Sequence, residues 1–215
     1  MREELSHQTN YDTFLKALLE GDRNRCSEII RSELKNDTSF IELYERLLKT
    51  ALYTVGDLWE SNKISVATEH LASAIIEALL NEIYPSIQPG QFVEKSVVLT
   101  CVEDELHQVG IRMAGDVFEL HGWNTLFLGA NTPVNELIDF LKERKPDILA
   151  VSISLYFHFP KFEIMIQKIR DEFPDILIFT GGQAFKHGGE NILSKYKNVI
   201  YFPDLFTLST ILKTA

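Results

Sequence analysis

The sequence predicts an α/β protein in which an N-terminal four-helix bundle precedes a flavodoxin-like, doubly wound sheet of five parallel strands. Apolar residues recur every three or four positions up to about residue 88, which is the period of a helix. Short apolar runs then alternate with helical patterns, as buried parallel strands do. Residues 85–91, rich in Pro and Gly, separate the two patterns. The predicted domains are therefore residues 1–88 and 89–215.

Four helices are expected in the first domain. The first two patterns cover Tyr11–Leu19 and Cys26–Leu34, and short polar connections favour antiparallel neighbours. Two longer apolar stripes predict the third and fourth helices: Ile41, Tyr44, Leu47, Leu48, Ala51, Leu52, Val55 and Leu58, then Leu71, Ala72, Ile75, Ile76, Leu79, Leu80 and Ile83. Expected N-caps are Asp22 and either Thr38 or Ser39, the latter with Glu42 following.

Five strands are expected in the second domain. They are Val97–Val102, Asn124–Leu128, Ile148–Ser152, Ile176–Thr180 and Val199–Phe202. Helical patterns between them cover Val109–Leu120, Val134–Arg144, Phe162–Phe173 and a weaker stretch near residues 190–196. Ligands of such sheets bind beyond the carboxyl ends of the strands. Functional residues are therefore expected in the loops that follow the strands.

Composition argues against several classes of protein. Asp and Glu total 31 against 21 Lys and Arg, and the net charge of -10 opposes general binding to a phosphate backbone. Cys26 and Cys101 form no CxxC pair, so neither a disulfide framework nor a thiolate zinc site is predicted. The sequence has neither a secretory signal nor an apolar run near the ~20 residues of a membrane span. We expect a cytoplasmic protein without direct nucleic-acid or membrane contact.

Three loops after predicted strands carry the candidate chemistry. They read Glu105-Leu106-His107-Gln108-Val109-Gly110, Ser152-Ile153-Ser154 and Gly181-Gly182. A carboxylate two residues before an imidazole is suited to orient that imidazole as a metal ligand. The alternative is that His107 caps the next helix beside a solvated Glu105. The glycines leave space for a ligand near the backbone, or they form simple turns.

The helical domain has its own group of unusual residues. Trp59 is at the end of the third predicted helix, whereas Glu69 and His70 are at the start of the fourth, with Val66 nearby. Side chains at the same end of a bundle are able to form the roof of a pocket. The alternative is a core Trp and a carboxylate favoured by the helix macrodipole.

The three loops resemble the D/E-x-H-x-x-G, S-x-L/T and GG signature of cobalamin-binding domains of the methionine synthase and corrinoid-protein type. In that family a four-helix cap precedes the α/β domain, so the resemblance covers nearly the whole chain. It implies that His107 is the lower cobalt ligand and Glu105 its orienting partner. It also implies that the nucleotide tail of cobalamin enters a slot lined by Gly110, Ser152, Gly181 and Gly182. Ser154 departs from the commoner Leu and is similar to the Thr of some members.

The cap residues, Trp59, Val66, Glu69 and His70, resemble the upper-face motif of adenosylcobalamin-dependent photoreceptors of the CarH and LitR type. The resemblance implies that they cover the adenosyl group and that light breaks the cobalt–carbon bond. Glu60 stands where that family has a histidine after the Trp, and His70 is the candidate substitute. The family's DNA-binding segment is not found before the cap. The implied protein is a stand-alone sensor rather than an enzyme, signalling by domain or oligomer rearrangement to an unidentified protein partner or within a homo-oligomer.

Two other functions are compatible with the same residues. One is a corrinoid subunit that carries a methyl group between methyltransferases and prefers methylcobalamin. The other is a cobalamin store or an unliganded structural module. If a cobalamin titration showed no binding, the sensor and the methyl carrier would both be excluded and only this last option would remain.

Overall fold

Residues 2–36 and 38–87 are mostly helical, as their apolar period predicts. The structure is a computed structural model that describes residues 2–36 and 38–214. The chain divides into two units after Ile87. The helices of the first unit are α1 (Arg2–Glu20), α2 (Arg23–Lys35), α3 (Phe40–Glu42), α4 (Thr50–Glu60) and α5 (Val66–Ile83). A π-helical stretch, Leu43–Lys49, joins α3 and α4 into one continuous helical segment, which gives the four predicted helices.

Side-chain caps fix where these helices begin. Asp22 accepts a hydrogen bond from the backbone N–H of Arg25 at 3.0 Å, which confirms it as the N-cap of α2. Ser39, rather than Thr38, caps the third helical segment and forms a capping box with Glu42. Ser65 caps α5, six residues before the first apolar residue of the predicted stripe, and accepts a hydrogen bond from the backbone N–H of Thr68 at 3.1 Å.

The apolar stripes form the core of the first unit, with one correction. Leu71, predicted to be buried, is 47% exposed. Leu71 lies one helical turn before Ile75, the first buried residue of its row in α5, and close to Gly21, which connects α1 and α2. Buried members of the stripes are Tyr44, Leu47, Leu48, Ala51, Val55, Ala72, Ile75, Ile76, Leu79, Leu80 and Ile83.

The second unit is a parallel sheet with strands in the order β2-β1-β3-β4-β5, as the sequence predicts for a flavodoxin-like fold. The strands are β1 (Ser96–Cys101), β2 (Asn124–Gly129), β3 (Ile148–Ser152), β4 (Leu177–Gly181) and β5 (Val199–Tyr201). The helices are α6 (Val109–Leu120), α7 (Val134–Arg144), α8 (Phe159–Glu172), α9 (Glu190–Leu193) and α10 (Leu205–Leu212).

Both faces of the three central strands, β1, β3 and β4, are buried. Val98, Leu149 and Ile178 are in register across three strands and form one core with apolar residues of α7 and α8. On the opposite face, Phe179 contacts Phe118 of α6, with ring centroids 6.0 Å apart. Alternating residues of each strand thus contact opposite layers, which explains why the strands are continuously apolar.

The last helix, α10, is not among the predicted elements. It is only eight residues long, so its apolar pattern is too short to indicate a period. Asp204 caps it by accepting from the backbone N–H of Thr207 at 2.7 Å. Ser209 of α10 and His121 after α6 are hydrogen bonded at 2.9 Å, which attaches the C-terminal segment to the sheet unit. In the described part of the chain, no helix combines the length and apolarity that crossing a membrane requires.

Candidate functional site

The strand order decides which loops meet. The chain runs from β1 to β2 on one side and returns to β3 on the other side of β1, so the loops after β1 and β3 lie side by side at the switch point. Cys101 and Ser152, the last residues of these two strands, are in register. Residues 103–108 and 153–158 are therefore brought together, although almost 50 positions separate them in the sequence.

Glu105 lies at the centre of the contacts between these two loops. Its side chain is fully buried, so the alternative of a solvated carboxylate is wrong. Oε1 accepts from the backbone N–H of His107 at 3.1 Å and is 2.5 Å from His107 Nδ1. Oε2 accepts from the backbone N–H groups of Ser154 and Leu155, both at 3.0 Å, and is 3.1 Å from His158 Nδ1. Five nitrogen atoms from two loops therefore surround one carboxylate.

These contacts determine the charge of Glu105 and the tautomer of His107. Burial raises the pKa of the Glu105 carboxyl, but the hydrogen bonds from His107, Leu155 and His158 outweigh burial and lower the pKa to about 2. A carboxylate ionised at neutral pH only accepts, so Nδ1 of His107 must carry the proton. A neutral imidazole protonated on Nδ1 has its lone pair on Nε2, which is the arrangement that a metal-binding histidine requires.

His107 extends from the edge of the sheet. Its side chain is 53% exposed, and α6 begins with Gln108 as N-cap, without a capping bond from a side chain. The capping alternative for His107 is therefore not what the structure shows. The thiol of Cys101 donates to the carbonyl oxygen of His107 at 3.5 Å, and burial followed by the charge of Glu105 raises the pKa of this thiol to about 12. A protonated thiol thus helps to hold the His107 backbone.

Neighbouring loops hold the Glu105 loop in place. Asp104 adopts a left-handed conformation, with φ of 66°, and its backbone N–H donates to Asn131 Oδ1 at 3.0 Å. The backbone N–H of Asn131 in turn donates to the Glu105 carbonyl oxygen at 3.0 Å. Lys161 of α8 forms an ion pair with Asp104. The His107 loop is thereby connected to the loops on both sides of it.

The two serines after β3, Ser152 and Ser154, contact neighbouring segments through their backbone groups. Ser154 contacts Glu105 through its backbone N–H, which any residue except proline supplies. This contact does not depend on whether Ser, Thr or Leu occupies position 154. Ser152 is only 5% exposed, and its carbonyl oxygen accepts from the backbone N–H of Val102 at 3.1 Å.

The glycines of the predicted slot differ in their surroundings. Apart from its chain neighbours and the adjacent backbone of α6, a Cβ atom at Gly110 would meet no atom within 4 Å, so the space beside it is open. Gly182 has φ of 117° and a Cβ there would collide with the backbone of Ile153, while a Cβ at Gly181 would lie 3.0 Å from the carbonyl oxygen of Phe202. Backbone conformation and packing therefore already require glycine at position 182, whereas a side chain at position 181 would require Phe202 to shift by a few tenths of an ångström.

His158 is the residue of this site that sequence analysis did not identify. It is 6% exposed, lies in the 3-10 turn Tyr156–His158, and contacts Glu105. Tyr156, Phe157 and His158 form a short aromatic run after β3, a pattern that is as compatible with packing as with ligand contact. The signal that could have identified His158 is a histidine in the loop after β3, adjacent to the Glu105 loop at the switch point.

The cap residues lie at one end of the helical unit. Trp59 is in the last turn of α4, 44% exposed, and Val66 begins α5, 50% exposed. Trp59 is therefore not a core residue. Glu69 accepts from the Ser73 hydroxyl at 2.9 Å, and its Oε2 is 2.5 Å from Nδ1 of the exposed His70. An exposed indole thus occurs at the same end of the bundle as a carboxylate–imidazole pair.

The donor set determines which metal centre fits. Within the described side chains, no group of three or more His, Cys, Asp or Glu could hold a metal ion. His107 offers a single oriented nitrogen, which suits a metal whose other ligands belong to a macrocycle. The open space beside Gly110 is compatible with a bulky appendage of such a group.

Family models match both units. A model described as "B12 binding domain" matches residues 11–84, and a second with the same description matches residues 95–203. The first covers the helical unit and the second covers the sheet with the Glu105–His107 loop. The matches together thus include the cap residues and the candidate ligand.

Relatives of two kinds are found. The HTH-type transcriptional repressor CarH of Myxococcus xanthus is 26% identical over 178 residues, 82% of this chain and 58% of the repressor. Trimethylamine corrinoid protein 1 of Methanosarcina mazei is 22% identical over 139 residues, 63% of this chain and 64% of that protein. The chain thus matches less than two thirds of the length of either relative. The structure of the Methanosarcina barkeri monomethylamine corrinoid protein has the same fold, with a TM-score of 0.83, 12% identity, and coverage of 97% of this chain and 99% of that one.

Proposed function

Since this chain belongs to the B12-binding domain family, we propose that it is a cobalamin-dependent sensor that responds to light through adenosylcobalamin. The observation that carries the proposal is the Glu105–His107 pair, combined with a match to CarH that includes the cap residues. Its output would be a change of oligomeric state or of contact with a protein partner.

The lower ligand is proposed to be Nε2 of His107. Glu105 keeps the proton on Nδ1, orients the ring and increases the basicity of Nε2. Gly110, Ser152, Ser154, Gly181 and Gly182 are proposed to border the nucleotide tail of cobalamin. The open surface at Gly110 supports this assignment, whereas Gly181 and Gly182 also have a packing role.

The cap residues are proposed to recognise the adenosyl group. The exposed indole of Trp59 and the side chain of Val66 supply apolar surface, and Glu69 with His70 supply hydrogen-bonding groups for a ribose or an adenine. Adenosylcobalamin, when bound, supplies a photolabile cobalt–carbon bond. Losing the adenosyl group would remove contacts that favour one arrangement of these residues, which shifts the population of conformations.

Illumination tests this function. The protein is purified with adenosylcobalamin in darkness, and absorption spectra and size-exclusion profiles are recorded before and after green light. We expect both the spectrum and the elution volume to change, because the adenosyl contacts are lost. The methylcobalamin complex, which has no adenosyl group, serves as the control. A complex whose spectrum and elution volume both stay the same under green light would contradict the sensor function.

Replacing Trp59 by alanine is expected to weaken adenosylcobalamin binding at least about tenfold, since burying a large apolar side chain contributes about 1.5–3 kcal/mol and about 1.4 kcal/mol corresponds to a tenfold change. Affinity for methylcobalamin should change little, because it has no adenosyl group for the indole to contact. Titrations followed by absorbance measure both affinities. Phe206→Ala is the matched control, since Phe206 is an aromatic residue of similar exposure on α10. Equal losses for both cobalamins would argue against an adenosyl-specific role.

The fold gives one reason to keep a second candidate. The monomethylamine corrinoid protein aligns over 99% of its own length, so the chain includes a complete counterpart of that architecture. A methyl-carrying corrinoid subunit would bind methylcobalamin at least as tightly as adenosylcobalamin and exchange the methyl group with a methyltransferase. Two results of the same titrations would favour this function. One is tighter binding of methylcobalamin than of adenosylcobalamin, and the other is an adenosylcobalamin affinity that Trp59→Ala leaves unchanged.

A further inference from the structure

Two imidazoles share the carboxylate of Glu105. Oε1 contacts His107, whereas Oε2 contacts Nδ1 of His158 at 3.1 Å. His158 is buried, and its ring packs edge-on against Phe157 with centroids 4.6 Å apart. Since Glu105 is ionised, Nδ1 of His158 is the donor in this hydrogen bond.

The orientation of Glu105 does not depend on His158. Three backbone N–H groups, those of His107, Ser154 and Leu155, already hold both carboxylate oxygens at 3.0–3.1 Å. The imidazole of His158 is an additional donor to an already oriented group. Its effect on Glu105 is therefore electrostatic more than geometric.

Each donor to a carboxylate stabilises part of the same negative charge. A carboxylate with more donors is less basic, and each of its hydrogen bonds is weaker than it would be with fewer donors. Strengthening the bond from Nδ1 of a histidine increases the basicity of its Nε2. The number of donors to Oε2 of Glu105 therefore affects the strength of the hydrogen bond between Oε1 and His107 Nδ1, and with it the basicity of His107 Nε2.

We propose that His158 is a positioning residue that acts through Glu105: by taking part of the carboxylate charge, it weakens the hydrogen bond from His107 Nδ1 and so limits the strength of His107 Nε2 as a ligand. The proposal rests on the proposed function of His107 as the cobalt ligand. It assigns His158 an effect on His107 that passes through their shared hydrogen-bond partner, Glu105.

The first test uses the protein without cobalamin. The proton chemical shift of His107 Nδ1–H is measured by NMR in protein with nitrogen-15-labelled histidine. His158→Leu removes the donor, and we expect the proton to move downfield because its bond to Glu105 becomes stronger. His158→Asn, whose amide nitrogen occupies a position similar to Nδ1, should restore a shift near the wild-type value. His158→Met replaces His158→Leu if the latter does not fold, and His187→Leu is the control.

A packing role alone would lower the free energy of unfolding and leave the shift of the His107 proton unchanged. An unchanged or upfield shift in His158→Leu would overturn the proposal, as would failure of His158→Asn to restore it. The second measurement is affinity for hydroxocobalamin, which we expect to rise about threefold in His158→Leu, less than the 10- to 100-fold effect of removing an orienting partner. Failure of wild-type protein to bind would refute the proposed function, whereas the proton shift tests the sharing of Glu105 by itself.

Discussion

Replacing His107 by alanine is expected to lower affinity for hydroxocobalamin about 100-fold, because losing the ligand itself should cost at least as much as losing its outer partner. The visible spectrum of any residual complex should also differ, since the lower axial nitrogen is absent. Titration by absorbance measures both effects. The fold should be preserved, because the His107 side chain is half exposed.

His187→Ala is the matched control for this experiment. His187 is also an exposed histidine of the sheet unit, and its ring lies near Tyr156, with centroids 6.5 Å apart. Its removal deletes an imidazole without affecting Glu105, so cobalamin affinity should be unchanged. Equal affinity of His107→Ala and wild type would contradict the assignment of His107 as the ligand.

Replacing Glu105 by leucine is expected to lower the free energy of unfolding by about 3–5 kcal/mol, the range measured when one partner of a buried charged pair is removed. Leucine fills a similar volume but leaves the backbone N–H groups of Ser154 and Leu155 and the two imidazoles without an acceptor. Denaturant unfolding of the cobalamin-free protein measures the loss. Glu103→Leu, two residues earlier and only partly buried, should change stability by about 0.5 kcal/mol or less.

The stabilising contribution of Glu105 is also expected to depend on pH. The folded pKa of Glu105, about 2, lies below its ordinary value of 4.5, so ionised Glu105 stabilises the fold fully above pH 4.5. That contribution decreases as the pH falls from 4.5 towards 2. Wild-type protein should therefore lose more stability over this range than Glu105→Leu does. Parallel curves for the two proteins would contradict the assignment of an ionised, hydrogen-bonded Glu105.

Three elements of the second unit show where the local apolar pattern is sufficient to predict the bounds of a helix or strand. The bounds of β3, α6 and α7 agree with the sequence prediction residue for residue. These segments have continuous apolar runs or a clear helical period, and both signals depend only on neighbouring residues. The short helix α10 was missed because it has too few turns to display a period, and its stability comes from packing on α6.

The sequence by itself determined the α/β class, the order of helices and strands, and the candidate pair Glu105 and His107. Only the tertiary structure decided that Glu105 is buried among five nitrogen atoms and that His158 is the third side chain of the group. The physical reason is the reversal of strand order at β1, which places the loops after β1 and β3 in contact. Pairing between strands fixes that contact, and no local period encodes it.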